Sequence, residues 1–383
     1  MTPGILFEEL GLRYIGPIDG HDLDNMIKVL NSVKEMNTPV LLHVFTNKSK
    51  SFSSKKHDAI KSYSISPSKN TSTNKIQYSK VFGEVISMLA PKYSFHCITA
   101  AMEIGTGMKE FIKNYNDRYV DVGIAEEHAI TYAAGLSKAG ILPVVPIYST
   151  FMQRGYDQII HDIALQNIPV IFCMDRAGLV GNDGPTHHGV FDVAFMRSIP
   201  NIVVSAPKDG NELFDLLYTA LNSNKIFSIR YPKENTRFNK EHKPLLIDLG
   251  KWEVLNDGKD MCILTFGSMV DTCMQACDMI FDNYNLKVTL INCRFIKPID
   301  TNLLNKLIEN HNNFLVVEEG IVSGGFGSSI LEYFSLNSIK NNVKLLGIND
   351  TFIDQGTRTE LLEDIGLTHS NIYNIIENII NGK

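Results

Sequence analysis

Six apolar runs separated by helical stretches fill residues 75–232, and they constrain the fold more than any other feature of the chain. The runs are FHCITAAM, RYVDVGI, LPVVPIYS, PVIFCMDR, NIVVSAP and IFSIRYP, with FMQRGYDQIIHDIALQN and GNELFDLLYTALNS among the helical stretches between them. Buried strands alternating with helices build a parallel sheet covered by helices on both faces. Ligands of such sheets bind beyond the carboxyl ends of the strands. A polar connection over residues 233–248 leads into a second block with strands ILTFGSM, KVTLINCR, FLVVEEG and VKLLGIN, closed by the helix ending NIYNIIENII. The expected fold class is therefore α/β, with two doubly wound, mostly parallel-sheet domains at 75–240 and 241–383.

The front of the chain reads differently. Leu23, Met26, Ile27, Leu30 and Val33 follow at helical spacing after Asp22, a good N-cap, and VLLHVFT at residues 40–46 reads as a strand. One helix and one strand are too little to form a core. Residues 1–46 are thus expected to be the remnant of a larger amino-terminal domain. The Lys-, Ser-, Asn- and Thr-rich segment at 47–74 lacks apolar periodicity and reads as a solvated linker.

Composition narrows the partners. A net charge of −6 argues against nucleic acid or an anionic membrane as the main partner and favours a small-molecule ligand. No apolar stretch is long enough to span a bilayer. The six cysteines (Cys97, Cys173, Cys262, Cys273, Cys277 and Cys293) lack paired metal-ligand spacing and read as reduced core thiols of a cytoplasmic, or equivalent plastid stromal, protein.

Polar residues collect at the strand ends of the first block. Glu126 follows RYVDVGI, Tyr148 and Phe151 follow LPVVPI, and Arg176 opens the loop AGLVGNDGPTHHG with Asp183 and His187; Arg230 closes the last strand. A carboxylate between a buried strand and a buried helix loses solvation, so it needs a tight partner or a task that uses a raised pKa. Arginines beside an acid and a base suit a phosphorylated substrate undergoing proton transfer. The glycines of GLVGNDG and SGGFG follow no dinucleotide pattern, and no GxxxxGK[ST] occurs, so they read as turns.

Several long motifs in order carry a resemblance over essentially the whole chain. YIGPIDGHD (14–22), DVGIAEEHAITYAAGLSKAG (121–140), IYSTFMQRGYDQIIHDIALQNIPV (147–170), DRAGLVGNDGPTHHGVFD (175–192) and IRYP (229–232) closely resemble the 1-deoxy-D-xylulose-5-phosphate synthase family of transketolase-like thiamine diphosphate enzymes. That resemblance implies a pyrimidine-binding domain at 75–240 and a transketolase carboxy-terminal domain at 241–383. It implies decarboxylative condensation of pyruvate with glyceraldehyde 3-phosphate, which feeds isoprenoid, thiamine and pyridoxal synthesis. By the same resemblance Glu126 holds the cofactor pyrimidine and activates the cofactor, Phe151 stacks on that ring and Tyr14 is a further cofactor contact. Tyr148, Arg154, Arg176 and Arg230 face the phosphorylated aldehyde, while Asp183, His187 and His21 handle protons or orient intermediates. His188 carries over less well, and His128 is expected to be structural.

The resemblance also implies a homodimer and Mg²⁺, whose ligands belong to a GDG motif with a downstream asparagine. Neither IDGHD, NDGPT nor NDGKD matches that motif in context. The expectation is a chain lacking most of the diphosphate-binding domain, weak in cofactor binding and poorly active alone. A truncated gene model or fragment would explain it, as would a separate amino-terminal polypeptide completing a split enzyme. Two rivals stay open: the beta subunit of a 2-oxo-acid dehydrogenase and a non-catalytic dimerising remnant.

Overall fold

The computed structural model describes residues 4–47, 76–259 and 261–381. The chain divides into two compact units, Met1–Ser72 and Thr73–Lys383. The segment expected as a linker lies, apart from Asn47, outside the described residues.

In the first unit, β1 (Arg13–Asp19) and β2 (Val40–Phe45) pair in parallel, joined by the helix Leu23–Lys34. The helix starts where the sequence places it, because the Asp22 carboxylate accepts a hydrogen bond from the Asn25 amide at 3.1 Å. The reading of one helix and one strand is short by the strand β1 and by a five-residue helix, Ile5–Glu9. Gly16 and Pro17 interrupt β1 and conceal it, and the pairing register shifts between Ile15 and Ile18. Among the described residues of this unit only Ile18 is fully buried, while Leu23, Ile27 and Leu30 stay exposed. The described residues of this unit form no apolar core of their own.

The second unit opens with the short β3 (Ile76–Gln77) and then builds its main sheet. Its strands β4 (Phe95–Thr99), β5 (Tyr119–Asp121), β6 (Leu142–Tyr148), β7 (Ile171–Asp175), β8 (Ile202–Ser205) and β9 (Ile226–Arg230) correspond to the six apolar runs. All five residues of β7 and of β9 are buried, as helices on both faces require. Strand β10 (Asn235–Thr236) pairs antiparallel with β3 and leads into the second block. That block forms a five-stranded sheet from β11 (Glu253–Asn256), β12 (Cys262–Thr265), β13 (Thr289–Asn292), β15 (Asn313–Ile321) and β16 (Asn342–Ile348), in the order β11-β13-β12-β15-β16. All pairs in it are parallel except the edge pair β11–β13.

One strand crosses between the blocks. β14 (Phe295–Lys297) leaves the second block and adds antiparallel to β8, giving the first sheet the order β14-β8-β9-β7-β6-β4-β5. The Trp252 indole fastens it by donating to the Phe295 carbonyl at 2.7 Å. One apolar core accordingly runs through both blocks, from Val81 and Phe82 to Phe314 and Phe326. All six cysteines are buried and unbridged within the two larger cores, and burial raises each thiol pKa.

Candidate active site

In the first sheet the chain winds from β4 to β5 on one side and from β6 onward on the other, so the order reverses between β4 and β6. A crevice at such a reversal is where ligands of open α/β sheets lodge. Of the residues singled out from the sequence, Glu126, Arg154, Phe151, Tyr148, Arg176 and His187 form one connected row of contacts.

Glu126 is the first residue of the helix Glu126–Lys138 and is only 1% exposed. Its position at a helix amino terminus favours negative charge. The Arg154 guanidinium donates to Oε1 at 2.9 Å, whereas Oε2 is buried with no hydrogen-bond partner. Arg154 reaches it because the long helix expected over FMQRGYDQIIHDIALQN is broken. A short α-helix, Ser149–Met152, gives way to a 3₁₀ turn, Gln153–Gly155, and later to a π-helical turn, Ile159–Ala164. At the end of the 3₁₀ turn Gly155 packs against the Glu126 helix, where a Cβ would meet the Ile130 Cδ1 at 2.0 Å. Close packing against the Glu126 helix leaves no room for a side chain there.

The aromatic residues continue the row. The Arg154 guanidinium lies 4.8 Å from the Phe151 ring centre, Phe151 stacks on Tyr148 at 5.7 Å, and the Arg176 guanidinium lies 3.8 Å from the Tyr148 ring. Each guanidinium has its own carboxylate: Glu126 for Arg154, and Asp175 at 2.9 Å for Arg176. Two aromatic rings thus stand between two ion pairs, a contact favoured by the ring quadrupoles. Burial raises the Tyr148 phenol above its usual range. Burial likewise pushes Asp175 up to about 6, although Arg176 opposes the shift.

Arg176 has a left-handed φ of 60° and donates to the Gly105 carbonyl at 2.7 Å. A non-glycine residue held there is a local strain of the kind that collects at functional sites. Gly105 is fixed by the same contacts, since a Cβ would sit 1.6 Å from the Tyr148 hydroxyl.

His187 meets Phe151 edge-on at 5.3 Å, and its Nδ1 lies 2.9 Å from the Thr186 hydroxyl. Asp183 is ion-paired with Lys233. His188 is 4% exposed; its Nδ1 accepts from the Val180 amide at 3.1 Å and its Nε2 donates to the Asp354 carbonyl at 3.2 Å. His128 is exposed, with its ring against Tyr132.

All three arginines expected to face a phosphate are paired with a carboxylate, Arg176 with Asp175 as above. Arg154 lies on Glu126, and Arg230 is an internal brace whose side chain is 5% exposed, 2.8 Å from Asp192 and also donating to the Glu319 carbonyl at 3.2 Å. Tyr14 and His21 belong to the first unit. There the Tyr14 hydroxyl lies 2.7 Å from His43 Nδ1, and His21 Nε2 accepts from the Asn47 amide at 2.7 Å.

Sequence reasoning passed over Asp175, Gly105 and Ser149, the last buried with an unpartnered hydroxyl. Asp175 had a visible signal, an acid immediately before Arg176 at the end of an otherwise apolar run. Gly105 and Ser149 had none. Among the described residues no group of three or more His, Cys, Asp or Glu side chains is placed to hold a metal. The pyrimidine end of the implied cofactor is a different matter, because Glu126 keeps an unpartnered Oε2 and its partner Arg154 lies over the Phe151 ring, a carboxyl and an aromatic face that fit a hydrogen-bonding heteroaromatic ring.

Three family models cover the chain in succession. Residues 1–46 match 1-deoxy-D-xylulose-5-phosphate synthase, 74–239 the transketolase pyrimidine binding domain and 250–372 the transketolase C-terminal domain. The 1-deoxy-D-xylulose-5-phosphate synthase of Aquifex aeolicus (strain VF5) is 43% identical over 389 residues, covering 100% of this chain. The chain belongs to the 1-deoxy-D-xylulose-5-phosphate synthase family.

Its match to the family is partial in length. The chain spans 62% of the Aquifex protein, and 60% of the Syntrophus aciditrophicus (strain SB) synthase, which is 42% identical over 393 residues and covers 100% of this chain. Among solved structures, a chain described as a split gene transketolase, inactive beta4 tetramer, superposes with a TM-score of 0.72 at 26% identity, over 80% of this chain and 99% of its own. The transketolase of Campylobacter jejuni shares the fold, with a TM-score of 0.65 at 16% identity over 99% of this chain and 69% of its own.

Proposed function

We propose that this chain supplies the pyrimidine-binding and carboxy-terminal parts of a thiamine diphosphate-dependent 1-deoxy-D-xylulose-5-phosphate synthase, joining pyruvate to glyceraldehyde 3-phosphate with loss of carbon dioxide. The observation that carries the reading is the Glu126 carboxyl, buried at 1% exposure with Oε2 unpartnered and Phe151 nearby in the same row. When bound, the cofactor supplies a nucleophilic thiazolium carbon and a sink for the electrons left by decarboxylation. Glu126 holds the pyrimidine edge, and Arg154 keeps the carboxylate oriented through Oε1. Phe151 offers the ring face. Arg176, steadied by Asp175 and the Gly105 carbonyl, is the fork for the aldehyde phosphate, with Tyr148 beside it. Asp183 and His187 lie on one loop and move or hold protons at the substrate. Tyr14 and His21 remain cofactor-side candidates by resemblance alone, and Arg230 enters as a brace beneath the site.

In this reading Mg²⁺ and the cofactor diphosphate are held by residues outside this chain, the working form is a homodimer, and the compartment is the cytoplasm. The match to the whole of a split-gene transketolase chain supports reading residues 76–381 as the pyrimidine-binding and carboxy-terminal parts of such an enzyme. The rivals predict otherwise, since a 2-oxo-acid dehydrogenase beta subunit would not turn over glyceraldehyde 3-phosphate.

The test is calorimetric titration of thiamine diphosphate with Mg²⁺ into the purified chain, alone and mixed with the part of the Aquifex synthase that it does not align to. Carbon dioxide release from pyruvate and glyceraldehyde 3-phosphate is measured on the same samples. Replacing Glu126 by Gln should weaken cofactor binding by about ten- to a hundredfold, the worth of a charged hydrogen bond. Equal affinity and equal turnover for E126Q would refute the assignment.

A further inference from the structure

Gly178, Gly181 and Gly184 recur at three-residue spacing, and all have positive φ, of 84°, 71° and 77°. Each lies against the second block. A Cβ on Gly178 would come within 2.6 Å of the Glu319 carboxyl carbon, one on Gly181 within 3.2 Å of the Arg358 amide nitrogen, and one on Gly184 within 3.5 Å of the Gln355 Cβ. The AGLVGNDG motif therefore makes turns whose missing side chains let another block approach.

Hydrogen bonds fasten the contact. Glu319 Oε1 accepts from the Leu179 amide at 2.8 Å, Gln355 donates to the Asn182 carbonyl at 3.1 Å, and His188 donates to the Asp354 carbonyl at 3.2 Å. Glu319 is itself 2% exposed, with Oε2 held by the Ser268 hydroxyl at 2.7 Å and the Arg358 guanidinium at 2.5 Å. The other arm of Arg358 pairs with Glu234 at 2.9 Å. Reciprocal backbone bonds between Gly178 and Gly189, at 2.7 and 2.9 Å, close residues 178–189 into a ring, and Asp183 and His187 lie inside it.

We propose that Glu319, Gln355 and Arg358 are positioning residues, through which the carboxy-terminal block sets the place of the loop carrying Asp183 and His187. The catalytic consequence rests on the proposed function; the mechanical one does not. Arg358 is the keystone because its fork spans Glu319 and Glu234 at once, which a lysine cannot do in the same way.

Hydrogen exchange with mass spectrometry on the purified chain reads the mechanical part directly. In Arg358→Ala, amides of residues 178–189 should exchange about tenfold faster while β6 and β7 keep wild-type rates. Arg358→Lys should fall between. Gln355→Ala changes an exposed residue, so folding is not at risk, and should quicken exchange at residues 182–184 alone. Wild-type loop exchange in either alanine variant, or equal acceleration of loop and strands in Gln355→Ala, would overturn the proposal. In the turnover assay Arg358→Ala should lower kcat with little change in cofactor affinity, and Arg358→Lys should recover part of it. Faster loop exchange without that loss of kcat would confine the role to the loop's mechanics and overturn the catalytic consequence. A failure of E126Q to affect turnover would instead strike the proposed function and leave the exchange result standing.

Discussion

Arg230 separates a ligand from a brace, and the two roles predict different stabilities. Its Nε is 2.8 Å from Asp192 Oδ2, and the two side chains are 5% and 0% exposed. Truncating Arg230 to Ala leaves Asp192 with only the Val193 amide, which donates to Oδ1 at 2.8 Å. An uncompensated buried charge costs about 3–5 kcal/mol. The bond to the Glu319 carbonyl, 3.2 Å, is lost as well and falls inside that range. The contact to the Gly189 carbonyl, at 3.5 Å, is too long to add to it. Urea unfolding followed by circular dichroism should therefore show a midpoint lower by on the order of 1 M for Arg230→Ala. Adding Asp192→Asn removes the orphaned charge and should restore at least about 1.5 kcal/mol, a coupling typical of groups in direct contact. An unchanged midpoint for Arg230→Ala, or strictly additive effects in the pair, would refute the brace and return Arg230 to the substrate.

Two further perturbations test the row of rings and charges. Asp175 is fully buried with its pKa raised to about 6, so between about pH 4 and pH 6 the folded protein binds a proton that the unfolded chain has released. Wild-type stability at this residue is thus present at low pH and lost as pH rises through 6. Asp175→Asn removes that loss, and its melting temperature relative to wild type should climb across the window by the equivalent of about 2–3 kcal/mol; a pH-independent difference would count against the buried-acid argument. Gly105→Ala forces a Cβ to within 1.6 Å of the Tyr148 hydroxyl and should cost about 1–3 kcal/mol in thermal unfolding. Combining it with Tyr148→Phe should recover part of that cost, and no recovery would show that the ring, rather than its hydroxyl, fills the space.

The legible parts of this fold are those governed by local pattern. All six apolar runs of the first block became strands; β7, β8 and β9 are buried throughout, which demands near-continuous apolar residues, whereas the edge strand β5 is only partly covered. The helix Leu23–Lys34 is capped by the Asp22 carboxylate as its position suggests, and Asp209 caps Gly210–Ser223 in the same way. What escaped was set by distant partners. Nothing within RFIKPID (294–300) names the partner of Phe295–Lys297, which joins the other block's sheet. FIDQGTRTELLEDIGL gave no sign that Gln355 and Arg358 touch the loop bearing Asp183. At the site, residue types were readable and pairings were not. Arg154 and Arg230 look alike as strand-end or loop cations, yet one is half-exposed while pairing with the buried Glu126 and the other is sealed against Asp192.

The crossing of β14 has a consequence for how the protein is made. Its pairing brings Phe295 beside Ser205, and the first sheet lacks its last strand until that segment has left the ribosome. Domains made vectorially fold as units when their contacts are local. Here the block that carries Glu126 cannot finish before much of its neighbour has been synthesised. Until then the β8 edge offers unpaired backbone groups, the kind of surface that recruits chaperones or other chains.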